Sequence, residues 1–187
     1  MDGFLLSLLL VFALALGGRD QWLVAQLADA LERSAPLLVI GIVSSTISAA
    51  VMAWVGAEFA ALLPRRAAQM LVAAALGLAA LELAWPVRMK ALQEPTRSLG
   101  AIAIVLLARQ IGDAARFVVF ALAAWAHMPA TAGLGGALGG AAAVALGWAL
   151  GAAGLARWPL RPLRLVLAAG MVAAALLIGL NARFTPL

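Results

Sequence analysis

The sequence predicts an all-α integral membrane protein of six transmembrane helices arranged as two inverted three-helix repeats. Three observations predict it. The 187-residue chain is 66% hydrophobic and only 11% charged, with a mean hydropathy of +1.07, whereas a soluble domain carries roughly a quarter charged residues to cover its surface. The apolar residues fall into six long runs. A shift of 95 residues superimposes one half of the chain on the other.

The runs cover approximately residues 4–31, 36–62, 67–85, 98–126, 131–156 and 159–181, each ended by charges, proline or both. Each is long enough for a bilayer crossing, which takes about 20 mostly apolar residues. The first run follows Met1-Asp2-Gly3 with no basic stretch before it, so it is read as a retained helix and not a cleaved leader. It is interrupted by Gly17-Gly18-Arg19-Asp20-Gln21. The second carries a hydroxyl cluster, Ser44, Ser45, Thr46 and Ser48, and ends at Leu63-Pro64; the third ends at Trp85-Pro86. The fourth is interrupted by Arg109-Gln110-Ile111-Gly112-Asp113. The fifth holds Gly136, Gly140, Gly147 and Gly151, spaced as a close-packing face, and the sixth follows Pro159. Polar breaks are costly in lipid and persist where they face protein or water, so the two interrupted runs are where function is sought.

The longest polar stretch, 87–97, divides repeat one (about 1–86) from repeat two (about 98–187) within a single membrane domain. At the 95-residue offset Gly17 falls on Gly112, Gly41 on Gly136, Gly56 on Gly151 and Pro64 on Pro159, and the two polar breaks coincide. With three crossings per half, the second half enters the membrane in the opposite sense, the inverted repeat of many secondary transporters. The basic residues Arg33, Arg88, Lys90, Arg97, Arg157, Arg161 and Arg164 then lie on the cytoplasmic side, against Arg65, Arg66 and Arg183 outside, which places both termini outside. A bacterial inner membrane is the expected location.

The breaks read Ala15-Leu16-Gly17-Gly18-Arg19-Asp20-Gln21 and Gln110-Ile111-Gly112-Asp113-Ala114-Ala115-Arg116. Each resembles the Glu-x-Gly-Asp-(Lys/Arg)-(Thr/Ser) signature of the manganese/calcium cation-proton antiporter family that includes the eukaryotic Golgi manganese transporter. That family has one signature and three helices per half, with a small-residue helix ending near Leu-Pro; Val55-Gly56-Ala57 to Leu63-Pro64 and the glycine-rich run before Pro159 follow the same layout. The resemblance implies transport of Mn²⁺ or Ca²⁺ against protons, with Arg19, Asp20, Gln21, Arg109, Gln110, Asp113 and Arg116 along the ion pathway and Asp113 and Asp20 as the metal-binding carboxylates. The signature is degenerate: Ala15 and Gln110 stand at its Glu positions, Gly18 and Asp113 at its Asp positions, and Ala114 at the second basic position.

Charge bookkeeping tests that implication. A hard divalent cation seeks several anionic oxygens, yet Asp20 and Asp113 are set against Arg19, Arg109 and Arg116, a net positive count unless the arginines point elsewhere. Two other readings therefore stand beside the antiporter: a transporter of an anion or small polar solute, and a non-transporting membrane subunit. Arg109 and Asp113, four residues apart, also fit a structural salt bridge on one helix face.

The other features have plain readings. The hydroxyl cluster fits back-bonding to its own helix, Glu58 and Glu82 fit solvation at span ends, and His127 fits a solvated turn. Trp22, Trp85, Trp125 and Trp158 fit an interfacial belt. The chain has no cysteine and one histidine, and with no phosphate-cradling loop it offers no soluble catalytic constellation, so it reads as no enzyme and needs no cofactor. The +5 charge follows membrane topology and not a nucleic-acid partner. The lipid bilayer and the transported solute are the expected partners, with a homo-oligomer left open.

Overall fold

Within lipid a backbone must satisfy its own N–H and C=O groups, so uninterrupted apolar runs become helices and the polar interruptions become the places where helices stop. The computed structural model describes residues 2–87, 97–126 and 129–184, and all the elements in them are α-helices. They are α1 Asp2–Ala15, α2 Arg19–Ala30, α3 Ala35–Leu62, α4 Arg65–Ala84, α5 Leu99–Ile111, α6 Ala114–Ala126, α7 Pro129–Leu155 and α8 Leu160–Phe184. His127, Arg88 and Lys90, singled out in the sequence, lie outside the described residues.

Four helices, α3, α4, α7 and α8, are long and apolar enough to cross a membrane. The first expected span is a bent pair: α1 and α2 meet at 64° across the break and make a fifth crossing if taken as one. The fourth expected span, 98–126, is divided into α5 and α6 of 13 residues each, about 20 Å apiece against a hydrocarbon core of about 30 Å. Continuous helices thus supply fewer crossings than the six apolar runs suggest. The reason is local: Gly17 takes φ +71°, a left-handed conformation that ends α1, and α5 stops at the Gly112 cap.

The centre is built on α7, which lies against α1, α2, α3 and α6. Its glycines allow this. A Cβ on Gly135 or Gly139 would strike the α1 backbone at Phe4 and Leu8, and one on Gly147 would come within 2.7 Å of Gln21 Cγ on α2. Such close approach of backbones is how helices associate in lipid, where apolar burial gives little drive. Neighbouring positions also fix direction. Gly41, Ser45 and Ala53 of α3 meet Val144, Gly140 and Gly133 of α7 respectively, so these helices run antiparallel. Along α4, Ala73, Glu82 and Ala84 meet Gly179, Arg164 and Arg161 of α8, so this pair is antiparallel as well. The 95-residue offset recurs in the element starts, from Arg19 to Ala114 and from Arg65 to Leu160.

Large apolar side chains cover the outside. On α8, Leu165, Val166, Val172, Leu176, Leu177 and Leu180 are exposed, an extent of apolar surface that a water-soluble monomer does not carry. Trp85, Trp125 and Trp158, at or beside helix ends, are exposed too, as an interfacial belt requires. The glycine contacts give a test. Gly139→Leu should force α1 from α7 and cost at least about 1–3 kcal/mol, seen as a lower melting temperature of the detergent-solubilised protein. Gly170→Leu, where nothing lies within 4 Å, should leave it unchanged.

Candidate functional site at the helix breaks

The two breaks converge on the interior face of α3. Helix α2 begins at Arg19, which puts Asp20 in its first turn. Asp113 precedes α6, and its carbonyl accepts from Arg116 N at 3.0 Å and Phe117 N at 3.2 Å, starting that helix. Both carboxylates thus sit at helix N-termini, where the aligned peptide dipoles favour negative charge. Gly18 lies between them: a Cβ there would be 2.9 Å from Asp20 Oδ1 and 3.7 Å from Asp113 Oδ1.

Five of the seven expected pathway residues are buried together: Asp20 (4% exposed), Gln21 (0%), Gln110 (0%), Asp113 (5%) and Arg116 (1%). Arg116 donates from Nε to Ser48 Oγ at 2.7 Å and from Nη2 to Ser45 Oγ at 2.9 Å and Ser45 O at 3.3 Å. Ser48 Oγ is 3.0 Å from Gln110 Oε1, and Gln110 Nε2 donates to Asp20 Oδ2 at 3.4 Å. Asp20 Oδ1 accepts from Gln21 N at 2.9 Å. Gln21 then spans the gap to α7, accepting from Gly17 N at 2.7 Å and donating to Ala143 O at 2.8 Å. One chain of hydrogen bonds therefore joins α3, both breaks and α7. Asp113 Oδ2, by contrast, is buried with no hydrogen-bond partner among the described residues.

The other two expected residues stand at the rim. Arg19 keeps about half of its side chain exposed. Arg109 is exposed, and its Nη1 donates to Arg19 O at 3.5 Å. Because α5 stops at Ile111, Arg109 and Asp113 do not share the continuous helical face expected for a four-residue pair. Around the carboxylates lies a cavity of about 270 Å³ lined by Arg19, Asp20, Glu82, Arg109, Gly112 and Asp113.

Three readings of the sequence are corrected here. The hydroxyl cluster is split by helix face: Thr46 back-bonds to Ile42 O at 2.9 Å on the exposed side, whereas Ser45 and Ser48 face inward and hold Arg116, Ser48 Oγ also back-bonding to Ser45 O at 3.1 Å. Glu82 is not solvated at an interface. Its side chain is 10% exposed and lies 2.9 Å from Arg164 Nη2 and 3.9 Å from Arg19 Nε. Arg164, expected in a cytoplasmic turn, is 2% exposed. Sequence reasoning missed both; the available signal was a lone glutamate inside the apolar run Leu81-Glu82-Leu83, expensive in lipid unless paired.

Among the described residues no three His, Cys, Asp or Glu side chains stand close enough to ligate one ion as placed. Asp20 and Asp113, with the neutral oxygens nearby, are what the site offers a cation directly. Hydrogen bonds to charged groups contribute about 1.5–3 kcal/mol each. Ser48→Ala, which removes the link between Arg116 and Gln110, should therefore destabilise the purified protein by roughly that amount, whereas Thr46→Ala should leave its thermal unfolding unchanged.

Comparison with known proteins returned no matching family model, no matching curated protein and no matching solved structure.

Proposed function

We propose that this chain is a small secondary transporter that exchanges a divalent cation of the Mn²⁺/Ca²⁺ class for protons, using a rebuilt, carboxylate-poor site at the two helix breaks. The observation that carries the reading is the composition of the central cavity. Counted along the sequence, the charges at the breaks sum to a positive value. Around the cavity, three carboxylates, Asp20, Glu82 and Asp113, face two arginines, Arg19 and Arg109. The wall differs from the sequence count on two grounds: Glu82 joins it, and Arg116, with its Nε and Nη2 on Ser48 and Ser45 of α3, is not among the residues that line it. Asp113, with one buried carboxylate oxygen unmatched, is the group left to bind a cation or carry a proton, and intramembrane ionisable groups of this kind mark ion pathways.

The architecture in this reading is six crossings in two inverted halves, with α1–α2 and α5–α6 as the broken spans. Its support is the antiparallel packing of α3 on α7 and of α4 on α8, helices that the 95-residue offset pairs with each other. Ser45 and Gly140, themselves 95 apart, touch, as equivalent residues do where a pseudo-twofold axis passes. Gln21 and Arg116, also 95 apart, make matching contacts: Gln21 with Ala143, and Arg116 with Ser48, the position that the offset places on Ala143. Broken helices at the midplane of two opposed halves are the arrangement through which secondary transporters expose one site to either side.

A second reading, transport of an anion or small polar solute, is favoured by Arg19 and Arg109 at the rim. Proteoliposomes loaded with a pH-sensitive dye separate the two. Mn²⁺ or Ca²⁺ added outside should drive proton movement at least tenfold above empty vesicles, and Asp113→Asn should abolish it. If cations drive no proton movement, or Asp113→Asn transports like the wild type, the antiporter reading fails. Anion flux that is lost in Arg109→Gln and retained in Asp113→Asn would establish the second.

A further inference from the structure

Arg164 and Glu82 form a buried ion pair that is only half made. A guanidinium usually meets a carboxylate through two parallel N–H bonds. Here Nη2 alone reaches Glu82, at 2.9 Å to Oε2 and 3.1 Å to the Glu82 carbonyl. Arg164 Nε and Nη1 are buried with no partner among the described residues. Glu82 Oε1 lies 3.9 Å from Arg19 Nε, beyond hydrogen-bond range. A buried pair repays its desolvation only with good geometry and with its remaining donors satisfied, so this one is a poor structural fastening. It also stands in a telling place. Glu82 lines the cavity that holds Asp20 and Asp113, and Arg164 lines a separate vestibule of about 460 Å³ with Gly17, Trp22, Trp158 and Arg161. The pair thus joins a residue on the wall of the carboxylate cavity to one on the wall of the vestibule.

We propose that Glu82 is the third carboxylate of the cation site, held on Arg164 in the arrangement seen here and transferred from the guanidinium to the cation when it binds. The inference rests on the cation reading above and deepens it. Two aspartates alone are a thin ligand set for a hard divalent ion, which takes six or more oxygens, and Glu82 is the one further carboxylate on the cavity wall among the described residues. Its transfer adds a negative charge where the cation arrives and leaves Arg164 free beside the vestibule. Arg164 is also tied to the first break, because a Cβ on Gly17 would lie 3.3 Å from Arg164 Cδ and 3.0 Å from Leu160 Cβ. Cation binding thereby loosens the α4–α8 contact at the point where it touches the hinge of α1 and α2. Arg164 acts as a built-in competitor for the site, and removing it should strengthen cation binding.

The test is Mn²⁺ binding to the full chain in lipid nanodiscs, with free Mn²⁺ counted by electron paramagnetic resonance. The wild type should bind, and Asp113→Asn should weaken binding at least tenfold. Glu82→Gln, and the milder Glu82→Asp should the first not fold, should weaken it about tenfold. Arg164→Gln, or Arg164→Met in its place, should tighten it severalfold. If the wild type binds and Asp113→Asn loses binding while the Glu82 and Arg164 variants match the wild type, the role of Glu82 is overturned and the cation reading stands. If the wild type binds no Mn²⁺, the cation reading itself is overturned and this inference falls with it.

Discussion

Arg116 is the bulkiest side chain among those the described bundle buries completely, and a guanidinium at that depth is tolerated only where oxygens are fixed to receive its N–H groups. Much of the interior follows from meeting that requirement. Ser45 and Ser48 must lie on the inward face of α3. Gly140 must lack a side chain, because a Cβ there would collide with Ser45 Oγ and come within 3.0 Å of Arg116 Nη1. Helix α7 must therefore come close to α3, and the other glycines extend that approach to α1 and α2. Satisfying Arg116 also passes a constraint onward: Ser48 fixes Gln110, Gln110 fixes Asp20, and Asp20 with Gln21 fixes the first break.

The consequence for chemistry is a division of labour between two aspartates. Asp20 is held at both oxygens by the network. Asp113 keeps one oxygen unmatched although it is equally buried. In the proposed reading, a network that immobilises one carboxylate and leaves the other open is what holds a cation or proton against a rigid neighbour. The Glu82–Arg164 pair borders that place with donors left unsatisfied, and in the proposed transport incomplete pairing is what permits exchange. A fully satisfied set of ion pairs would stabilise one arrangement and resist the change of access that transport needs.

How far the sequence disclosed this depends on the range of each interaction. The helix breaks were legible because Gly17 to Gln21 and Arg109 to Asp113 interrupt apolar runs, and such interruptions carry a local energetic cost. The burial of Asp20, Gln21, Gln110, Asp113 and Arg116 followed the same logic. The set of charges on the cavity wall was not legible. Arg116 lies one helical turn from Asp113 and was counted against it, whereas its side chain turns to serines that are about 70 residues earlier. The serines were ambiguous for the same reason: Ser45, Thr46 and Ser48 differ only in helix face, and the facing helix decides which of them carries a role. Glu82 was assigned to an interface because it stands near the end of the third apolar run. Its pairing with Arg164 depends on the packing of α4 against α8, which no local pattern encodes. Continuity of the spans was overestimated because hydropathy registers apolar content and not the left-handed turn at Gly17.

The proposed transport requires two halves that oppose each other in direction, and the absence of cysteine from the chain makes this directly measurable. In the antiparallel packing of α4 on α8, a Cβ at Gly179 lies 3.6 Å from Ala73 Cβ, within the spacing a disulfide accepts. Were the halves parallel, Ala73 would face its counterpart 95 residues on, Ala168. Oxidative cross-linking in native membranes of Ala73→Cys with Gly179→Cys, beside Ala73→Cys with Ala168→Cys, decides between them. Efficient cross-linking of the first pair and none of the second is the expected result; the reverse pattern would contradict the account.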